Sequence, residues 1–208
     1  MALVAWRRLV VLLAAAVVLA GMRLIGEPSP TAAYEFLGCK FAGRSPVVHY
    51  RAEQLGEYQS VVHAAARAWN RAARLPIRFT RRAPTRPGVA RVVIRRTESL
   101  LDVWAWIGRP DARPPRCLGS PTRTYRGNRT SIYLNHTALQ TLTPQQRELV
   151  VIHDLGHALG LGHERGNCQR VQSVMVQGPA KWTCGWSGQP PWRDDRRGVR
   201  RLYASSRT

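Results

Sequence analysis

Three histidines within eleven residues, His153, His157 and His163, restrict what this chain can fold into more than any other feature. They lie in the run Val-Ile-His153-Asp154-Leu-Gly-His157-Ala-Leu-Gly160-Leu-Gly-His163-Glu164. On a helix His153 and His157 are i and i+4, about 40° apart around the axis, so both imidazoles leave one face. Gly160, three residues on, is free to take the left-handed backbone that ends a helix and turns the chain back. That turn brings His163 to the same point. Three neutral imidazoles around Zn²⁺ leave a fourth tetrahedral position open for water, the arrangement of a catalytic site rather than a structural one. Asp154, about 100° from His153 around the axis, can reach that water instead of the metal. The chain has six histidines, so half of them fall in this segment. Incidental core or surface histidines do not account for that.

These residues resemble the metzincin zinc metalloproteases, whose motif H-E-x-x-H-x-x-G-x-x-H is followed by a Met-turn. Every fixed position is matched except the second, where the family has Glu and this chain has Asp154. Met175, in Ser173-Val174-Met175, stands where the Met-turn belongs. The resemblance implies Zn²⁺ held by His153, His157 and His163, with Met175 as a packing floor beneath the imidazoles. It also implies that Asp154 accepts the proton in peptide hydrolysis. Asp is one methylene shorter than Glu and falls back by more than about 1 Å, a misplacement that costs up to about 100-fold in rate. Two outcomes follow: a secreted endopeptidase with a modified base, or a zinc-binding pseudoprotease or cell-surface binding protein with little turnover. Glu164, on the turn after the third ligand, is expected in a structural ion pair.

Around the motif, residues 46–50 predict a strand. Val61, Val62, Ala65, Ala68, Trp69 and Ala72 recur at three- and four-residue steps, predicting an amphipathic helix over 58–74 that Pro76 ends. Residues 77–80, 89–95 and 131–135 predict three further strands, and the Pro-, Gly- and Arg-rich stretch 108–129 predicts an irregular, exposed segment. Thr143 and Pro144 cap and open the zinc helix, and a last helix is predicted over 194–203. This order is also similar to the metzincin catalytic domain, over roughly residues 34–205, most of all to its matrixin-type and small bacterial secreted members. It implies an α+β fold: a twisted, mostly parallel sheet with a zinc helix, a Met-turn, a C-terminal helix and a cleft above the metal. Glu164 is closer to the astacins, yet no Tyr follows Met175 at their spacing, so the subfamily stays open. Trp182, Trp186 and Trp192 follow the Met-turn, where the resembled fold builds a substrate-pocket wall; core packing is the expected role of at least two. Trp104 and Trp106 alternate beside the cleft. His49, His63 and His136, each alone at its spacing, read as strand, helix-face and loop histidines.

The length of 208 residues suits one domain plus a leader. Trp6-Arg7-Arg8 precedes an apolar run over 9–20 that is too short for a membrane span and reads as a signal peptide, an uncleaved anchor being the rival. Residues 1–33 are thus assigned as signal peptide or anchor plus spacer, and 34–208 as the zinc metallopeptidase domain, secreted or associated with the cell envelope. Cys39, Cys117, Cys168 and Cys184 suit that oxidising compartment. Of their three possible pairings, Cys168–Cys184 around the Met-turn and Cys39–Cys117 are expected. The net charge of +20 is almost wholly arginine and implies nonspecific attraction to anionic surfaces. Without a motif or aromatic interleaving it implies no specific nucleic-acid site. The expected partner is a protein or peptide substrate, and the expected state a monomer.

Overall fold

Alternating apolar residues pair five strands into one sheet. The computed structural model describes residues 36–204 apart from 53, 85, 114, 116, 119–122, 165–168, 170, 179–181, 183 and 185–187, with the backbone alone at 117, 118 and 123. In chain order the elements are β1 (Cys39–Lys40), β2 (Val47–Arg51), α1 (Tyr58–Arg71), β3 (Arg78–Thr80), β4 (Arg91–Thr97), β5 (Ala105–Ile107), β6 (Cys117–Leu118), β7 (Arg123–Tyr125), β8 (Arg129–Asn135), α2 (His136–Leu139), α3 (Pro144–Leu159) and α4 (Arg193–Ala204). The main sheet has the order β3-β2-β4-β8-β5. Its first four strands are parallel and β5 runs antiparallel on the edge. A small sheet, β1-β7-β6, stands apart from it. The class is α+β with a mostly parallel sheet.

Period two sets the two faces of the main sheet. Val48, Tyr50, Val92, Ile94, Ile132 and Leu134 are buried on the side where α1 and α3 pack. His49, Arg51, Arg91, Val93, Arg95 and Arg129 alternate with them and remain more open. On α1, Val62, Ala65, Ala68 and Trp69 form the buried stripe that the spacing predicts. The helix stops at Arg71, short of residue 74, because Ala72 is already extended.

Helix α3 is buried from Val150 to its end, so its ends and backbone must find partners inside the protein. Thr143 and Gln146 form a reciprocal capping box and Pro144 opens the first turn. At the far end Gly160 has φ 107°, with its N–H donating to the His157 carbonyl and the Leu161 N–H to the Gly156 carbonyl, which is a Schellman stop. Three side chains from three elements donate to α3 carbonyls: Trp69 Nε1 to Ile152 at 3.0 Å, Tyr125 OH to His157 at 3.0 Å and Tyr203 OH to Leu159 at 3.0 Å.

Part of the stretch 108–129 is ordered rather than irregular: β6 and β7 lie in it, and β7 pairs with β1. Strands of two or three residues show no alternation to read. The assigned leader, residues 1–33, and Trp186 lie outside the described residues. Cys39 and Cys184 each take part in a disulfide; the partners named in the expected pairings, Cys117 and Cys168, have side chains outside the described residues. Among the described residues no helix is long and apolar enough to cross a membrane.

A Cβ at Gly160 would stand 2.5 Å from the Cys39 carbonyl oxygen and 2.6 Å from Leu202 Cδ2, whereas at Gly43, φ 89°, it would meet nothing within 4 Å. Gly43→Ala therefore carries left-handed strain alone, about 1–2 kcal/mol. Gly160→Ala adds the clashes and is expected to lower Tm at least about twice as far. Thermal unfolding of the two variants followed by circular dichroism makes the comparison; equal shifts would contradict the packing of the α3 stop.

Candidate metal centre

Helix α3 carries His153 and His157 one turn apart, and the Gly160 stop turns the chain so that His163 faces them. The ring centroids lie 4.5 Å (His153–His157), 4.7 Å (His157–His163) and 5.3 Å (His153–His163) apart. One ligand nitrogen from each lies within 4.8 Å of the others, a group that could hold a metal ion. His153 and His157 are 8 % and 7 % exposed, and His163 is the most open of the three.

The tautomers follow from the hydrogen bonds. His153 Nδ1 lies 2.7 Å from the Val174 carbonyl and His157 Nδ1 2.7 Å from the Leu161 carbonyl. A carbonyl only accepts, so each Nδ1 carries the proton and each Nε2 keeps its lone pair toward the shared centre. His157 Nε2 and His163 Nε2 stand 3.1 Å apart. Adjacent nitrogens on a tetrahedral zinc, each about 2.0–2.1 Å from the metal, would lie about 3.3 Å apart. The donor set fits a zinc ion.

Met175 is buried against α3. A Cβ on Gly156, the residue before His157, would lie 2.5 Å from Met175 Sδ and 3.3 Å from the Trp69 ring. Only a bare backbone lets the Met175 side chain seat there. Main-chain bonds fix the turn around it: the Glu164 N–H donates to the Met175 carbonyl at 3.0 Å, and the Met175 N–H to Ser173 Oγ at 3.0 Å.

The other end of this turn is held by α4. The buried Asp195 carboxylate accepts from Ser173 Oγ at 2.5 Å, from the Val174 N–H at 3.0 Å and from the Trp192 N–H at 2.8 Å. Asp194 accepts from the Gln172 N–H at 2.9 Å and pairs with Arg193 at 3.2 Å. Burial pushes the Asp195 carboxyl up to about 6 even though these donors pull it down. The sequence singles out Met175 by its place after the histidines but offers no such pointer to these acids. Their only signal was two carboxylates in the first turn of a helix, where the dipole favours them anyway.

Asp154 is 3 % exposed and lines the same cavity as His153 and His163, a space of about 360 Å³. Asp102, Trp104 and Gln177 also line it; of these only Trp104, as a cleft neighbour, was anticipated. Trp182 packs on Trp104 with centroids 4.7 Å apart, and Trp192 is half-buried. Glu164 is buried and stands next to Val176 in a β-bridge. The remaining histidines lie elsewhere. His49 bonds the Arg82 carbonyl, His63 bonds Tyr50 OH at 3.1 Å and His136 bonds Tyr58 OH at 2.8 Å.

No family model matches the chain, and no curated protein matches it. Among solved structures the chain is similar to the GM1-bound form of the ECX AB5 holotoxin, at 14 % identity and a TM-score of 0.48 over 76 % of this chain and 80 % of that one. It is also similar to high choriolytic enzyme 1, a hatching-enzyme zinc-protease from Oryzias latipes, the medaka fish. There the identity is 17 % and the TM-score 0.34, over 70 % of this chain and 57 % of that one.

Asp195 links the turn to pH. Its folded pKa of about 6 lies above the ordinary 3.8, so the folded protein binds this proton more tightly than the unfolded chain. The contribution is fully present below about pH 4 and is lost as pH rises through about 6. Asp195→Asn removes the titration. The stability of wild type relative to that variant should fall by about 3 kcal/mol across this window. Denaturant unfolding of both proteins at a series of pH values measures it; a relative stability that rises with pH would contradict the assignment.

Proposed function

We propose that this chain is a metzincin-like zinc endopeptidase that hydrolyses peptide bonds. The observation that supports it best is the pair of Nδ1–carbonyl hydrogen bonds, which leave imidazole lone pairs converging beside a buried carboxylate. Zinc held by His153, His157 and His163 would leave one coordination position open and supply the Lewis acidity that activates water and polarises a carbonyl. Asp154 would take the proton from the attacking water and return it to the leaving amine. Its burial keeps its electrostatic interactions strong. Strand β5, at the edge of the sheet, borders the cavity through Ala105, with Trp104 just before it. An extended peptide could add to that edge as a further strand. Trp104 and Trp182 would then wall one side of the cleft.

In this reading the enzyme is a monomer, exported by its N-terminal leader and either secreted or held at the cell envelope, with its cysteines oxidised. Asp154 favours a second reading as well. A carboxylate one methylene short of the family's Glu suits a zinc protein that keeps the fold with little turnover.

Two measurements separate these readings. Purified protein is expected to carry about one zinc per chain and to lose most of it in His157→Ala; full retention there would place the site elsewhere. Peptide cleavage should be abolished in Asp154→Asn with zinc retained, because the amide accepts no proton, while Asp154→Glu should keep or raise activity. An inert wild type with an active Asp154→Glu would establish the second reading. Full activity in Asp154→Asn would refute the assignment of the base.

A further inference from the structure

The cavity beside the candidate metal centre differs in charge from other hollows of the surface. The chain carries 32 lysines and arginines against 12 acids. Three other cavities, of about 420, 460 and 520 Å³, are each lined by at least three arginines. Among the described residues no arginine or lysine lines the cavity of about 360 Å³ at His153 and His163, and two carboxylates do, Asp102 and Asp154. Asp154 is buried and has an interaction of its own within the protein. Asp102 is exposed.

Glu57, Glu98, Asp111 and Asp194 each meet an arginine at 3.1–3.3 Å. Among the described residues Asp102 has no such partner. Its position is nevertheless fixed, because the fully buried Asn135 clamps the segment that carries it. Asn135 Oδ1 accepts from the Ser99 N–H at 3.1 Å, and its Nδ2 donates to the Leu101 carbonyl at 3.1 Å and the Val103 carbonyl at 3.0 Å. The Asn135 N–H donates to the Trp104 carbonyl at 2.9 Å. Asp102 lies between the two clamped carbonyls, so its backbone is ordered before anything binds. Val103 and Trp104, on either side of the last bonded pair, line the same cavity. A carboxylate beside an exposed apolar side chain and an indole matches one kind of group, a cationic head on an aliphatic stem.

We propose that Asp102 is a specificity-determining residue that selects peptides with a basic side chain, the stem packing on Val103 and Trp104 and the cation pairing with the carboxylate. The inference rests on the reading of this cavity as the peptide cleft of a zinc endopeptidase. Asp154 serves as the base in that reading, which leaves Asp102 as the cavity's charge for recognition. The total charge of +20 pulls the other way, since it draws anionic molecules and repels basic ones. At physiological salt the field of exposed groups fades over about 8 Å. The carboxylate nearest the peptide therefore decides, and the preference is opposite in sign to the one that net charge alone would give.

The test reads binding rather than turnover, in the Asp154→Asn protein, where peptides stay intact and Asp102 is the remaining acid among the described lining residues. Labelled decapeptides differ at one position, occupied by Arg, by its neutral analogue citrulline or by Glu, and that position is moved along the peptide. Fluorescence anisotropy at physiological salt gives each Kd. At the favoured position the Arg peptide is expected to bind about fivefold more tightly than the citrulline peptide, with the Glu peptide weakest. Adding Asp102→Asn should abolish the difference, and adding Asp102→Lys should place the Glu peptide first. Glu98→Gln, which removes an exposed acid outside the cavity, should leave the order and the ratio as they were. A ratio unchanged by Asp102→Asn, or a preference for the Glu peptide before any change at Asp102, would overturn the proposal and leave the endopeptidase reading standing. An Arg preference that depends on Asp102, in a chain whose wild type cleaves none of these peptides, would uphold the proposal and count against the endopeptidase reading alone. Binding of no peptide would refute both.

Discussion

The Nδ1–H of His153 points at the Val174 carbonyl and that of His157 at the Leu161 carbonyl, each at 2.7 Å. These two bonds set the ring orientation and the tautomer together, so a buried pair of imidazoles presents lone pairs to one point rather than a mixture of donors and acceptors. Both acceptors lie on backbone that follows α3 in sequence. The stop at Gly160 places Leu161, and the turn around Met175 places Val174. The geometry of the centre is therefore set by how the chain leaves α3 and returns beneath it.

That return is held from a distance. Asp195, on α4, binds Ser173 and the Val174 N–H, while the Val174 carbonyl accepts from His153. One carboxylate is thus a single residue removed from orienting His153. Gly156 contributes from the other side, since its missing side chain lets Met175 reach α3. Trp69, Tyr125 and Tyr203 complete the setting by donating to α3 carbonyls from three separate elements. Helix α3 can be this deeply buried with His and Asp in it because its polar groups meet fixed partners.

Much of this was legible in the sequence where a local rule exists. Thr143, Pro144 and Gly160 bound α3 as read, because capping and left-handed stops are decided by neighbouring residues. The period of α1 and the alternation of β2, β4 and β8 were readable for the same reason. The small sheet was not: β1 pairs with β7, with Cys39 opposite Arg123, and no short-range pattern encodes a partner so far along the chain. Asp195 and Asp102 were invisible as site residues because no spacing ties either to the histidines. The charge was legible only as a total. Its concentration on one sheet face appears when the register places Arg91 opposite Arg129.

In the proposed centre three imidazole nitrogens, and no thiolate, would hold a zinc ion at the end of α3. Extended X-ray absorption at the zinc edge of the purified protein tests it directly. The account predicts a shell of three imidazole nitrogens, with one further light atom, at about 2.0–2.1 Å. A sulfur shell at about 2.3 Å, or a spectrum without imidazole scattering, would contradict it.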